Sequence, residues 1–196
     1  CASDDTSPVT LMQREKIGKA HALLPHLASS YANSSGHFLD AYYHGDVTRP
    51  GCALYGINPC DNIESPMHPV ATLTAQILQV RQIDEVATLG YCATAHVPPA
   101  MRTVTIGIGY ADGVSRAGSN QLYGYIGEYR LPLLGRVTMD MLCFDATHIP
   151  EQILERADAL TLMDNRQTVD DLARIYHTIG YEVLTSIGKR VKRIHV

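Results

Sequence analysis

Near Asp61 the hydrophobic pattern of this chain changes period, and that change limits its fold more than any other feature. Upstream, Leu11, Met12, Ile17, Leu23, Leu24 and Leu27 recur at roughly helical spacing. The spacing predicts a helix from about Val9 to Leu27, with Ser7 as N-cap and Pro8 in the first turn. Ser29 to Ser35 then reads as a short strand leading into a loop, Phe38 to Tyr43 as a short helix, and Val47 to Tyr55 as strand or turn. Helix and short strand in alternation is the rhythm of an α/β barrel or a doubly wound sheet. Asn62 to Pro69 carries two prolines and reads as a linker.

Beyond the linker the period falls towards two. Ala71 to Ile83 is rich in Thr, Val, Ile and Leu, and its alternation slips at Ile77-Leu78, which predicts a bulge. Thr103 to Tyr110 alternates through Val104, Ile106 and Ile108. Leu122 to Ile126 and Leu131 to Phe144 are further strand segments, and short strands between turn signals predict a barrel or sandwich. Thr168 is placed to cap a last helix, with Asp170 and Asp171 in its first turn. Leu172, Ile175 and Ile179 would line one face of that helix, and Gly180 would end it.

Composition excludes several classes. A formal net charge of −4 gives no broad basic field, so nucleic acid is not an expected partner. No apolar run approaches the roughly 18 residues of a membrane span, and no basic segment followed by an apolar one suggests a signal peptide. Cys1, Cys52, Cys60, Cys92 and Cys143 are odd in number and lack CxxC pairing, which suggests reduced thiols in a cytoplasm. The nine histidines, His21, His37, His96 and His148 among them, lack metal-ligand spacing, so no metal is expected. The basic run Lys189 to Arg193 reads as an exposed edge strand.

The chain starts at Cys1 and not at a methionine. A complete eightfold α/β barrel needs roughly 200 or more residues, so residues 1–65 are expected to be part of a barrel only. The expected layout is an α/β barrel remnant at 1–65 followed by a mostly β domain at 66–196, and the whole reads as a fragment.

Four segments carry chemistry: Tyr31-Ala-Asn-Ser-Ser35, Arg49-Pro-Gly-Cys-Ala-Leu-Tyr-Gly56, Gly107-Ile-Gly-Tyr-Ala-Asp-Gly113 with Arg116, and Leu134-Gly-Arg-Val-Thr-Met-Asp140. Arg49 beside Pro-Gly at a strand end can hold a flat anion or a ring nitrogen, and the glycine lets backbone N–H groups approach a phosphate. A turn with a surface arginine would look the same. Tyr110 lies between a clean strand and an Asp-Gly turn. It is either a packed aromatic or a phenol presented at a rim. As a base, a phenol must have its pKa brought down from about 10 towards neutrality by nearby cations or donors.

In wording and order these segments, with Tyr181-Glu-Val-Leu-Thr185, resemble alanine racemase, a pyridoxal 5′-phosphate (PLP) enzyme of fold type III, along essentially the whole chain. The resemblance implies an N-terminal TIM barrel, of which this chain holds the last strands and helices, and a C-terminal β domain. It implies a homodimer in which each site joins one barrel to the partner's β domain. Ser34 would then bind the cofactor phosphate, and Gly51 and Cys52 would offer it backbone N–H groups. Arg49 would face the pyridine nitrogen. Tyr110 would be the catalytic base for L-alanine, and a Schiff-base lysine would work on the opposite face. Met139 would give its backbone N–H to the substrate carboxylate, and Asp140 would line the mouth of the site. Lys189 aligns where some members have a phosphate-contacting tyrosine.

One departure bears on activity. The family's Lys-Ala-Asn-Ala-Tyr-Gly-type motif is absent, and the chain's lysines are Lys16, Lys19, Lys189 and Lys192. The expectation is an isomerase supplying D-alanine for peptidoglycan when intact, and an inactive fragment alone. The alternatives are a non-catalytic β module for dimerisation or regulation, and a racemase for another small amino acid such as serine.

Overall fold

The computed structural model describes residues 4, 6–60, 65–90 and 95–195. Cys1 and Cys92, and the part of the expected linker at 62–64, lie outside the described residues. The chain forms two compact units, residues 1–70 and 71–196.

The first unit is built from short elements. Helix α1 spans Pro8–Leu23, with Ser7 as its N-cap residue and Pro8 at its start. It stops four residues before the expected Leu27, and Leu24 closes it with an N–H to the Ala20 carbonyl. Its apolar residues do not form a buried stripe: Leu23 is 80% exposed, and Thr10 is the buried residue of the helix. The strand expected at Ser29 to Ser35 is reduced to isolated bridges, Ser30 with Gly45 and Asn33 with Arg49. The second bridge is parallel. The Asn33 side chain accepts the Gly36 N–H and so caps α2, Ser34–Leu39. A 3-10 turn at Ala41–Tyr43 takes the rest of the predicted helix, and the Arg49 segment runs into another at Cys52–Tyr55.

The second unit is the mostly β domain that the alternation predicts. Its strands are β1 Leu73–Gln82, β2 Ala87–Leu89, β3 Ala95–Val97, β4 Arg102–Ile106, β5 Tyr123–Ile126, β6 Tyr129–Pro132, β7 Leu142–Asp145 and β8 Ala159–Met163. Six of them form an antiparallel sheet in the order β6-β5-β8-β1-β4-β7, and β2 pairs with β3 in a separate hairpin. The sheet nearly closes, because Leu133, just past β6, bridges Phe144 of β7, and the Leu134 N–H reaches the Cys143 carbonyl at 2.7 Å. The bulge expected at Ile77-Leu78 is present as a register shift between Ile77 and Gln79 against β4. Inside the curl lie Val104, Ile106, Leu122, Leu131, Leu142, Phe144 and Leu160, all nearly inaccessible. The Leu131 to Phe144 segment is two strands joined by a loop, and that loop belongs to the site below.

Among the described residues this unit also has α3 Glu151–Leu154, α4 Val169–Tyr176 and α5 Gly180–Ser186, of which α4 and α5 pack together. Thr168 caps α4 as expected, in a reciprocal capping box with Asp171. The helix ends earlier than its pattern suggests. His177 turns left-handed at φ 56°, Gly180 starts α5 instead of ending α4, and Ile179 is 62% exposed. The basic tail at 189–193 is not an edge strand; it lies in turn and irregular structure.

Candidate functional site

The first unit brings Ser34, Arg49, Gly51 and Cys52 together. Two strand-like segments, ending at Asn33 and Arg49, run parallel and bond through the Arg49 N–H to the Ala32 carbonyl at 2.8 Å. Each segment leads directly into a helical turn, so two turn N-termini sit side by side. The Ser34 hydroxyl, buried at 2% exposure, accepts the Gly51 N–H at 2.8 Å and the Ala53 N–H at 3.4 Å. Both bonds use the oxygen's lone pairs, which leaves the hydroxyl proton to donate. The Cys52 N–H lies in the first turn, where a helix provides no acceptor of its own. A Cβ on Gly51 would meet nothing within 4 Å, so the space above this backbone is open.

Arg49 is held by its Nη1, which donates to the Ser30 carbonyl at 2.7 Å and to the Ser30 hydroxyl at 2.6 Å. Its guanidinium is exposed and keeps further N–H donors. Ser30, which the sequence did not single out, therefore orients the arginine. The Gly51 N–H, expected as a phosphate donor, is instead taken by Ser34. The Ser34 hydroxyl, the Cys52 N–H and the fixed guanidinium together are chemically an anion cradle beside a cationic, planar donor. The donor set fits a phosphate with a heteroaromatic ring attached.

The second unit brings Tyr110, Met139 and Asp140 together. Tyr110 opens a 3-10 turn, Tyr110–Asp112, between Gly109 and a left-handed Gly113 at φ 107°. The turn is bonded to the loop before β7: the Tyr110 N–H donates to the Thr138 carbonyl at 2.9 Å, and the Ala111 N–H to the Met139 carbonyl at 3.0 Å. The approach is close enough that a Cβ on Gly109 would lie 2.3 Å from both carbonyl oxygens. Only glycine fits there. Tyr110 remains 41% exposed and is not a packed core aromatic.

Asp112 is 6% exposed and accepts the Gly109 N–H at 3.0 Å through Oδ2. Arg190 supplies its counter-charge, with Nε to Oδ1 at 2.9 Å and Nη2 to Oδ2 at 3.2 Å. The same Nη2 reaches Asp140 Oδ1 at 2.7 Å. Both carboxylates raise the Arg190 pKa, Asp140 first and Asp112 second, so the guanidinium stays charged. Arg190 and Asp112 are 78 positions apart, and no local pattern in the sequence pairs them.

Beside the turn is a cleft of about 310 Å³ lined by Tyr110, Val114, Ser115, Tyr176, Glu182 and Ser186, among others. Burial pushes the Tyr176 phenol well above its ordinary pKa, partly offset by a backbone bond from Ser115, so this phenol stays protonated. Cys52 and Cys143 are free thiols, and burial also raises the pKa of Cys143. Among the described residues no three His, Cys, Asp or Glu side chains converge as a metal site. Among them, too, no helix is long and apolar enough to cross a membrane.

These features define a β-rich domain that exposes a clamped tyrosine turn at one end of a curled sheet, joined in sequence to a unit carrying an anion cradle. Residues 70–195 match the model of the alanine racemase C-terminal domain, and the chain belongs to that family. It is 41% identical over 201 residues to the alanine racemase of Brucella abortus, covering 96% of this chain and 51% of that protein. It is 39% identical over 193 residues to the alanine racemase of Rhodospirillum rubrum, covering 98% of this chain and 52% of that protein. Among solved structures it resembles alanine racemase from Bartonella henselae with covalently bound pyridoxal phosphate, at 35% identity and a TM-score of 0.87. That match covers 100% of this chain and 54% of the Bartonella chain. The chain thus spans about half the length of the curated relatives it matches.

Proposed function

We propose that this chain acts as the C-terminal half of a PLP-dependent alanine racemase, interconverting L- and D-alanine by a two-base mechanism. Residues 1–65 are read as the last part of the PLP-binding TIM barrel, and residues 66–196 as the C-terminal β domain. Support for the barrel reading comes from the parallel Asn33–Arg49 bridge with a helical turn after each segment. That is the arrangement at the C-terminal end of parallel strands, where α/β barrels bind phosphate.

The observation that carries the reading is the exposed Tyr110 phenol on a turn that is hydrogen-bonded along its backbone. A base must reach substrate, and it must not move. Bound PLP would supply an electron-accepting ring that acidifies the α-hydrogen of the amino acid attached to it. Ser34 would donate its hydroxyl proton to a phosphate oxygen, with the Cys52 N–H beside it. Arg49, held by Ser30, would donate to the ring nitrogen and keep its own proton, since guanidinium does not titrate near neutrality. Tyr110 Oη would take the α-proton of L-alanine while the opposite face receives a proton from the other base, and in the reverse direction it would protonate its own face. Met139 would hold the substrate carboxylate through its N–H, and Asp140 would line the mouth of the site.

The base for the other face is a lysine in a motif this chain lacks, so these 196 residues alone are not expected to racemise alanine. The further expectations are a homodimer, a cytoplasmic location and a supply of D-alanine for peptidoglycan.

The test is solvent exchange at the α-carbon in the racemase that contains this segment. Tyr110→Phe should slow α-hydrogen exchange of L-alanine by roughly 10²- to 10⁴-fold, the usual worth of a positioned base. Exchange from D-alanine should continue. Equal loss from both enantiomers would show that Tyr110 does not serve one face.

A further inference from the structure

We propose that Arg190 is a positioning residue for Tyr110, acting through a two-carboxylate clamp that joins the C-terminal tail to the tyrosine turn and to the Met139-Asp140 corner. The proposal rests on the reading of Tyr110 as a base and deepens it. The backbone bonds from Tyr110 and Ala111 fix one side of the turn to Thr138 and Met139. The other side is packed against the tail. The Gly188 N–H donates to the Asp112 carbonyl at 3.0 Å, and a Cβ on Gly113 would lie 2.4 Å from the Ser186 carbonyl oxygen. Arg190 closes the arrangement. Its fork grips Asp112 inside the turn by two bonds, and one of the same nitrogens grips Asp140 next to Met139.

The geometry gives this arginine a specific task. Tyr110 and Met139 come from different loops, and their relative placement decides whether a base and a carboxylate-holding N–H can meet one substrate. Arg190 is the side chain that bonds to carboxylates on both loops. Lysine would keep the charge but not the planar fork, so it could hold one carboxylate and not both in this register. The Arg190–Asp140 pair is exposed at both ends and contributes little to global stability, whereas Asp112 is 6% exposed, so losing the arginine leaves a buried carboxylate without its counter-charge. The loss should therefore fall first on the turn that holds Asp112.

The experiment compares Arg190→Gln and Arg190→Lys with the unsubstituted racemase. Arg190→Gln should slow α-hydrogen exchange from L-alanine by about 10- to 100-fold, the scale of a base displaced by about an ångström. Exchange from D-alanine should fall clearly less, because its base is not on this turn and only the shared Met139 contact is disturbed. Arg190→Lys should recover part of the L-alanine rate. In cofactor-free protein, Arg190→Gln should speed amide hydrogen exchange at residues 109–113 and leave the β4 and β7 amides protected. Equal slowing of both faces, or unchanged protection at 109–113, would overturn the proposal. If Arg190→Gln fails to fold, Arg190→Lys decides by the same two measurements. The Tyr110→Phe control separates the two ideas. If it fails to distinguish the faces, the assignment of Tyr110 falls, and amide exchange alone then judges the clamp.

Discussion

The two units hold their key groups by different means. In residues 1–70 the cradle is set by adjacent segment ends: a buried Ser34 hydroxyl, held by the Gly51 and Ala53 N–H groups, beside the Cys52 N–H. Few apolar side chains back it. Ala32, Tyr43, Cys52, Ile57 and Cys60 are buried, whereas Leu11, Leu23, Leu27, Leu54 and Tyr55 are each more than half exposed. In residues 71–196 the tyrosine turn rests on a nearly closed sheet with a dense interior, and charged side chains fix its last degrees of freedom. A cradle of amides tolerates many side chains but depends on segment ends staying adjacent. A positioned phenol depends on tight contacts, which only a packed core can hold in register.

The contrast predicts unequal sensitivity to core damage. Phe144→Ala removes a ring with no solvent exposure from the point where the sheet closes. It should cost about 3–5 kcal/mol and lower the melting temperature of the β unit sharply. Leu23→Ala, at a position 80% exposed in this chain, should stay within about 0.5 kcal/mol. Comparable losses would mean that the first unit has a core as demanding as the second.

Ser34→Ala tests the cradle itself. It removes one donor to phosphate and strips the Gly51 and Ala53 N–H groups of their acceptor. Affinity for PLP should fall about tenfold, as for a lost hydrogen bond to a charged group, and affinity for pyridoxal, which has no phosphate, should not change. Titration by fluorescence of both compounds checks this. Equal weakening of the two would move Ser34 away from the phosphate.

A smaller effect than that of Phe144→Ala concerns acid stability of the β unit. Burial pushes the Asp171 pKa up, but bonds from Thr168 and the nearby Arg174 outweigh it and bring it below its usual 3.8. A carboxylate depressed on folding stabilises the native state above its unfolded pKa and stops doing so as pH falls through the folded value. The cap of α4 should thus contribute fully near neutrality and weaken below about pH 4. Thr168→Ala should cost about 1 kcal/mol at neutral pH and less in acid, measured by thermal melts at a series of pH values. A cost independent of pH would remove Asp171 from the cap.

Much of this architecture is legible in the residues because its causes are local. Alternation marks β1, β4 and β5, the slip at Ile77-Leu78 marks the bulge, and Thr168 with Asp171 marks the start of α4. The end of α4 was not legible, since Ile179 continues the apolar spacing and only the left-handed turn at His177 stops the helix. The hairpin of β2 and β3 was missed because each strand has three residues, too few to show a period. The basic tail read as edge charges because its carboxylate partners lie in distant segments.

By itself the sequence determined the elements with short-range causes and the four motif segments, because capping, alternation and turn chemistry act within a few residues. Only the tertiary structure decided how the sheet closes through Leu133 and Phe144, that Ser30 holds Arg49, and that Arg190 spans Asp112 and Asp140. Those contacts join residues up to 78 positions apart. Their energy depends on distance in space, which one-dimensional order does not record.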